Sequence, residues 1–399
     1  MVERRLRTAA SVAGTVAVVY VAARIVTTLF FWAAAAMSGP GSRFGADATI
    51  SSLAMGWDSQ WYWLIAAQGY PTVLPTTDAG QVAENAWAFL PLYPWLSNAL
   101  GTVVGGYPTG AILLSVVAGY AASVVLFLLL RDRLGDTAAL WAVVFFANGP
   151  LAALFQMGYA EPLLLVWLFL ALLALVRRRF VWIYPLVVLM GFTRPGVLAF
   201  ALLLGLYGIH RWFRRHHDRL PGVQIAHIVA LGALATIVGF SWQVIAGVAT
   251  GDPGAYLETE LAWRRSWVGS EEGFVPFAGF VQASGIWFGL WGLPPALGPV
   301  ALVLLVVGAA FLLVRSRQVR LLGPELRLWG ASYLVYLLAV FFPQSSVFRL
   351  LLPLSPVVAA VAVPRSRVWR VGILVLCLAA QALWIHQMLA LGDTFFRIP

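Results

Sequence analysis

At 399 residues the chain is long enough for two or three soluble domains, but 61% of its residues are hydrophobic and only 11% are charged, which excludes that class. The 26 basic residues are all Arg and give a formal net charge of +10, yet they fall in short clusters between apolar runs, so they mark membrane topology rather than a nucleic-acid surface. With Cys377 as the single cysteine, an intrachain disulfide is impossible.

Apolar runs of about twenty residues, each able to cross a hydrocarbon layer about 30 Å thick as a helix, recur along the whole chain. The predicted spans are 9–36, 110–130, 137–157, 159–176, 180–193, 195–213, 223–247, 285–314, 328–343, 347–363 and 369–391. This is an all-α polytopic membrane protein of about 11 crossings. The first span follows a basic N-terminus but is too long for a cleaved signal peptide, so it is expected to be a retained anchor. Arg clusters at Arg4–Arg7, Arg131–Arg133, Arg177–Arg179, Arg211–Arg219, Arg315–Arg320 and Arg365–Arg370 occupy every second connection. By the positive-inside rule they are cytoplasmic, which puts the N-terminus inside and the C-terminus outside. Spans 180–193 and 195–213 meet at Thr193-Arg194-Pro195-Gly196, and a break at that depth is expected to line a cavity.

On this topology Asp47, Asp58, Asp78, Glu84, Glu161, Asp252, Glu258, Glu260, Glu271, Glu272 and Asp393 all face outward, so the polar chemistry lies on the outer face. Two outer connections are long, 38–109 and 248–284, and both are expected to hold short interfacial helices. The chain divides into an N-terminal module, 1–215, and a C-terminal module, 216–399.

Within the first long loop, the segment Trp57 to Pro71 reads as a helix starting at Asp58 and stopped by Gly69 and Pro71, with Trp57 and Trp61 on one side. Asp58 is either an N-cap on an interfacial helix or a carboxylate held against aromatic walls for catalysis. Ala86 to Pro94 is either an apolar re-entry segment or part of a groove wall. Arg24, about 24 Å into the first span at 1.5 Å per residue, is a buried charge and so a functional candidate; an ion pair with Asp58 or Glu161 is the competing reading. Arg264 and Arg265, close to Glu258 and Glu260, read as a solvated helical charge face. Lone His227 and His386 read as histidines satisfied inside the bundle, and the outer face lacks His-x-x-x-His, Cys pairs and Asp-x-Asp.

In order, Trp57-Asp58, Trp61-Tyr62, Ile65-Ala66, Gly69-Tyr70, Ala88-Phe89-Leu90-Pro91 and Tyr93-Pro94 resemble the PIG-V family, the second mannosyltransferases of glycosylphosphatidylinositol anchor assembly and their bacterial relatives. The resemblance continues at Gly158-Tyr159-Ala160-Glu161-Pro162, Thr193-Arg194-Pro195-Gly196, Gly251 to Tyr256 with Ala262-Trp263, and Phe348-Arg349 with Leu352-Pro353. It implies a GT-C glycosyltransferase fold and transfer of mannose from a polyprenyl-phosphate-mannose donor on the extracytoplasmic face, with Asp58 as catalytic base. Pro162 after Glu161, and Arg-Pro-Gly where eukaryotic members tend toward Arg-Ser-Asn-Gly, depart from the family pattern at positions bearing on the acceptor.

The reaction needs a base for the acceptor hydroxyl, cations for the departing phosphate and a groove for the lipid. Arg194, Arg349 and Arg24 are the candidates for phosphate, because a guanidinium makes bidentate charge-assisted bonds. Trp57, Trp61, Tyr62, Tyr159 and Glu161 are the candidates for sugar or acceptor. No cofactor is required; a divalent metal on Asp58 and Glu161 is conceivable but not favoured. Arg without Lys points to a bacterial genome and a glycolipid or glycoconjugate acceptor in the cell envelope. The competing functions are a multispan lipid transporter or flippase, which would bury acids near the midplane, and a noncatalytic membrane subunit that docks through its aromatic loops.

Overall fold

The computed structural model describes residues 2–268, 273–392 and 399, without the side chains of 2–10 and 266. Glu271, Glu272, Asp393 and Arg397 lie outside the described residues. In chain order the helices are α1 (Val2–Met37), α2 (Ile50–Ala54), α3 (Asp58–Gln68), α4 (Leu92–Val104), α5 (Tyr107–Leu134), α6 (Asp136–Ala147), α7 (Glu161–Val176) and α8 (Ile183–Thr193). They continue as α9 (Val197–Phe213), α10 (Gly222–Thr250), α11 (Ala255–Val268), α12 (Ala278–Leu290), α13 (Leu297–Arg315), α14 (Arg317–Leu321), α15 (Gly323–Val340), α16 (Ser355–Val358) and α17 (Arg367–Ile385). Among the described residues the sole β-type pairing outside helices is an isolated bridge between Thr76 and Val82.

Six stretches among the described residues are long and apolar enough to cross a membrane: Ser11–Met37, Tyr107–Leu134, Gly222–Thr250, Leu297–Arg315, Ser345–Ala362 and Arg367–Leu391. Shorter apolar helices occupy Asp136–Ala147, Glu161–Val176, Phe180–Thr193 and Val197–Phe213. The chain is therefore an all-helical, multi-pass membrane protein. Two predicted spans need correction, and a third keeps its place but not its helix type. The span 137–157 stops as α-helix at Ala147, before Gly149-Pro150, and resumes as a 3₁₀ turn at Ala152–Gln156. The span 285–314 is two helices, because Gly292 takes φ 73° and Pro294-Pro295 cannot continue α12. The span 347–363 is mostly 3₁₀, since Pro353 and Pro356 remove helical donors.

Helix α5 is the centre of the packing, with α4, α6 and α7 against it, while α9 packs against both α10 and α15. Leu126, Leu130, Phe155, Phe169, Phe200 and Tyr207 are among the side chains fully enclosed in the resulting core. Both long connections do contain short helices: α2, α3 and α4 in the first, and α11 in the second. By connectivity, the starts of α7 and α9 and the end of α8 lie at the end of the bundle opposite the Arg177–Arg179 and Arg211–Arg219 turns.

Candidate active site

Four segments far apart in sequence deliver the charged groups of the site. Helix α3 begins at Asp58, but Asp58 does not cap it. The N-cap position is Trp57, held at φ 58° and ψ −123°, an unusual conformation for a residue with a Cβ. The Ser59 hydroxyl donates to Gly158 O at 2.9 Å, and Gly158 N donates to Ala54 O at 2.9 Å, so the start of α3 is tied to the turn before α7. The approach is close: a Cβ at Gly158 would lie 3.0 Å from both Met55 S and Ser59 Oγ, so these side chains would have to give by a few tenths of an ångström. Glu161 is the first residue of α7, where the helix dipole favours a carboxylate.

Arg194 is set by the break between α8 and α9. Pro195 disfavours a helical residue before it, so Arg194 is extended, at φ −153° and ψ 154°. Gly196 then reverses the chain at φ 136°, which a residue with a side chain adopts only under strain. Arg349 lies on the 3₁₀ stretch Ser345–Leu354, whose carbonyls are held from α15: Tyr333 donates to Leu350 O and Trp329 to Pro353 O, each at 2.8 Å.

Arg349 Nη1 hydrogen-bonds Asp58 Oδ2 and lies 3.7 Å from Glu161 Oε1. Arg194 Nη1 donates to Glu161 Oε1 at 2.7 Å, approaches Asp58 Oδ2 at 4.0 Å, and reaches the Tyr62 hydroxyl at 3.5 Å. Side-chain exposures are 11% for Asp58, 4% for Glu161, 13% for Arg194 and 12% for Arg349. Two cations thus compensate two carboxylates in a nearly dry setting. Glu161 Oε2 and Arg349 Nε are nevertheless buried without hydrogen-bond partners, which is costly for charged groups.

Aromatic side chains surround the cluster. The Tyr159 ring lies 5.7 Å from the Arg349 guanidinium, and Tyr62 packs edge-on against Phe89 and Tyr93. Trp61 is stacked on Phe89, with ring centroids 5.7 Å apart, and meets Trp263 of α11 edge-on. Phe89 therefore belongs to the site wall, whereas Trp87 of the same segment is buried against Tyr70 and Trp242. Trp57 sits apart, with Arg43 over its ring at 4.3 Å, Phe44 at its edge and its Nε1 donating to Met388 O.

Arg24 is not with Arg194 and Arg349. It donates to Ala147 O at 2.5 Å, Ala152 O at 2.6 Å and Gln156 Oε1 at 3.3 Å, and so ties the buried carbonyl end of α6 to the 3₁₀ turn that follows it. Neither the expected phosphate role nor the alternative ion pair with Asp58 or Glu161 describes these contacts. The solvated charge face expected around Arg264 is also corrected: Arg264 is buried and hydrogen-bonds Gln282 over the Phe342 ring, and Arg265 hydrogen-bonds Val82 O. His227 is satisfied by Tyr184, 3.1 Å away, and stacks on Phe180.

The feature missed in the sequence is Glu260. Tyr256, Glu260 and Trp263 recur at four- and three-residue spacing and share one face of α11. Asn85 donating to Thr259 at 2.8 Å, and Gln344 donating to Trp263 O at 3.0 Å, fix this helix over the site. Desolvation pushes the Glu260 carboxyl up to about 7, against the opposing hydrogen bond from Tyr256 and the charge of Arg194. Its periodicity with Tyr256 and Trp263 was the available signal. Among the described residues no group of three or more His, Cys, Asp or Glu is placed to hold a metal ion.

Fold and site together define a multi-pass helical membrane protein with a buried, charge-compensated polar centre at one end of the bundle. No protein-family profile and no curated protein matches the chain. Among solved structures, the chain is similar to ArnT from Cupriavidus metallidurans bound to undecaprenyl phosphate, at 15% identity and a TM-score of 0.48, covering 93% of this chain and 64% of that one. It is also similar to the Archaeoglobus fulgidus oligosaccharyltransferase in complex with Zn and sulfate, at 14% identity and a TM-score of 0.42, covering 93% of this chain and 53% of that one.

Proposed function

We propose that the protein is a glycosyltransferase of the GT-C type that moves mannose from polyprenyl-phosphate-mannose to a lipid or glycoconjugate acceptor on the extracytoplasmic membrane face. The observation that carries this reading is the convergence of Asp58, Glu161, Arg194 and Arg349 from four distant segments into one aromatic-walled site. The motif resemblance to mannosyltransferases that falls on the same residues supports the choice of donor.

In this mechanism the donor phosphate takes up Arg349 and Arg194, which make the strongest bonds available to a phosphodiester. Asp58 Oδ2, released from Arg349, accepts the proton of the acceptor hydroxyl. The acceptor oxygen attacks the anomeric carbon, the bond to the phosphate oxygen breaks, and polyprenyl phosphate leaves with that electron pair. Attack opposite the leaving group inverts a β-linked donor to an α-mannoside. Glu161 holds Arg194 in place, and Tyr62, Trp61 and Tyr159 form the walls for the sugar. No metal is required, because the two guanidinium groups supply the positive charge that the leaving phosphate needs.

The test uses purified protein in nanodiscs with labelled polyprenyl-phosphate-mannose and envelope glycolipids. Mannosylated lipid and free polyprenyl phosphate are expected in equal amounts. Sealed proteoliposomes in which the labelled lipid crosses the bilayer without transfer would replace this reading with a flippase.

A further inference from the structure

At the end of α9 remote from Arg194, α9 and α10 enclose an open groove of about 370 Å³. It is cut by absent side chains: Gly205, Gly208 and Gly232 line it, and a Cβ at Gly205 or Gly232 would meet nothing within 4 Å. On α9 the lining runs from Trp212 to Ala201. Eleven helical steps of 1.5 Å give about 16 Å, half of a hydrocarbon core about 30 Å thick. The groove is one leaflet long and reaches the arginine-rich turn at Trp212 and Leu220.

At its mouth Arg214, Arg215 and Arg219 are exposed. Asp218, the single carboxylate of the turn, is already engaged by Arg178 at 2.5 Å and by Arg211 at 3.2 Å. Arg215 lies 4.4 Å over the ring of Trp212, itself a wall of the groove. An apolar slot thus ends in uncompensated positive charge. This is the complement of a lipid with an anionic headgroup.

We propose that the α9–α10 groove binds one anionic phospholipid of the leaflet at the arginine-rich face, with an acyl chain in the glycine notch and the phosphate against Arg215 and Arg219. The polyprenyl donor is a poor occupant, because the slot ends at Ala201, about 6 Å inside α9 from its start at Val197, and the Pro195-Gly196 break separates that start from Arg194. The site does not depend on the reaction assigned to Asp58.

Native mass spectrometry of protein released from nanodiscs of equal phosphatidylglycerol and phosphatidylcholine tests the site. One tightly retained phosphatidylglycerol, favoured about tenfold, is expected. Gly205→Leu with Gly232→Leu should remove that lipid without lowering the melting temperature, since leucine is the better helix former. Arg215→Gln with Arg219→Gln, on an exposed turn, should leave a lipid bound but erase the headgroup preference. Equal retention of the two lipids by the unaltered protein overturns the proposal, as does phosphatidylglycerol retention unchanged by either double variant.

Discussion

Asp58→Asn preserves side-chain shape and removes one of the four charges in the site. Arg349, with a side chain only 12% exposed, would keep a single carboxylate, Glu161, at 3.7 Å. At an effective dielectric of about 20 that remaining attraction is about 4.5 kcal/mol before desolvation is counted. Breaking a buried pair by removing one partner costs about 3–5 kcal/mol of stability. Removing a general base costs about 10²–10⁴ in rate, or about 3–5 kcal/mol of barrier. The two effects are of the same size, so loss of activity in the single variant would not tell a catalytic carboxylate from a structural one.

The double variant Asp58→Asn with Arg349→Gln separates them. It leaves no unpaired cation, so thermal unfolding followed by tryptophan fluorescence should recover about 1–3 kcal/mol relative to the sum of the single variants. Mannosyl transfer measured on the same preparations should stay at the level of Asp58→Asn or lower. Turnover that returned along with stability would mean that Asp58 merely holds Arg349. Transfer by Asp58→Asn within tenfold of the unaltered protein would also refute the base assignment.

Arg194→Gln should raise the Kd for polyprenyl phosphate about 10–100-fold, the equivalent of one charge-assisted bond of about 1.5–3 kcal/mol; calorimetry in detergent would expose a wrong assignment by an unchanged Kd. Arg24→Gln should lower the melting temperature, since the carbonyls of Ala147 and Ala152 lose their charged donor, yet leave that Kd unaltered; a weakened Kd would return Arg24 to the site. Glu260 binds a proton more tightly in the folded chain than in the unfolded one, so its contribution favours folding below about pH 4.5 and is lost as pH rises through about 7. Melting temperatures measured from pH 5 to 8 should therefore fall with pH, and Glu260→Gln should flatten the slope; an identical slope in that variant would assign the pH dependence to another group.

Three charged members of the candidate site are legible in the sequence because each carries a local signal that survives without coordinates. Asp58 opens a helix between aromatic residues, Glu161 precedes Pro162 at the start of an apolar run, and Arg194 precedes Pro195-Gly196 at a break. Local chemistry dictates these conformations. Their convergence, and the use of Arg349 in a 3₁₀ stretch, depend on contacts between segments up to 291 residues apart, which periodicity does not encode. Helix boundaries differ from the predicted spans where two prolines or a Gly-Pro pair interrupt a continuous apolar run, at Gly149-Pro150 and at Pro294-Pro295. Glu260 was lost for a different reason: its neighbours Arg264 and Arg265 supplied an apparent partner, whereas in the fold both guanidinium groups turn to Gln282 and to Val82 O.

Arg24 and Arg194 show why a buried arginine in an apolar segment is an ambiguous signal. Each is expensive to bury and each makes short hydrogen bonds, so cost alone does not distinguish them. The partner does. Arg24 faces backbone carbonyls at the end of α6, fixed partial charges that cannot move aside without unwinding the break that follows that helix. Arg194 faces the side-chain carboxylates of Glu161 and Asp58, and a phosphate diester bonds a guanidinium on the same chemical terms as they do. A guanidinium held by carboxylates can therefore exchange one anion for another, while one held by a helix end is committed to the fold. By the same criterion Arg349, hydrogen-bonded to the Asp58 carboxylate, is of the Arg194 kind and not of the Arg24 kind.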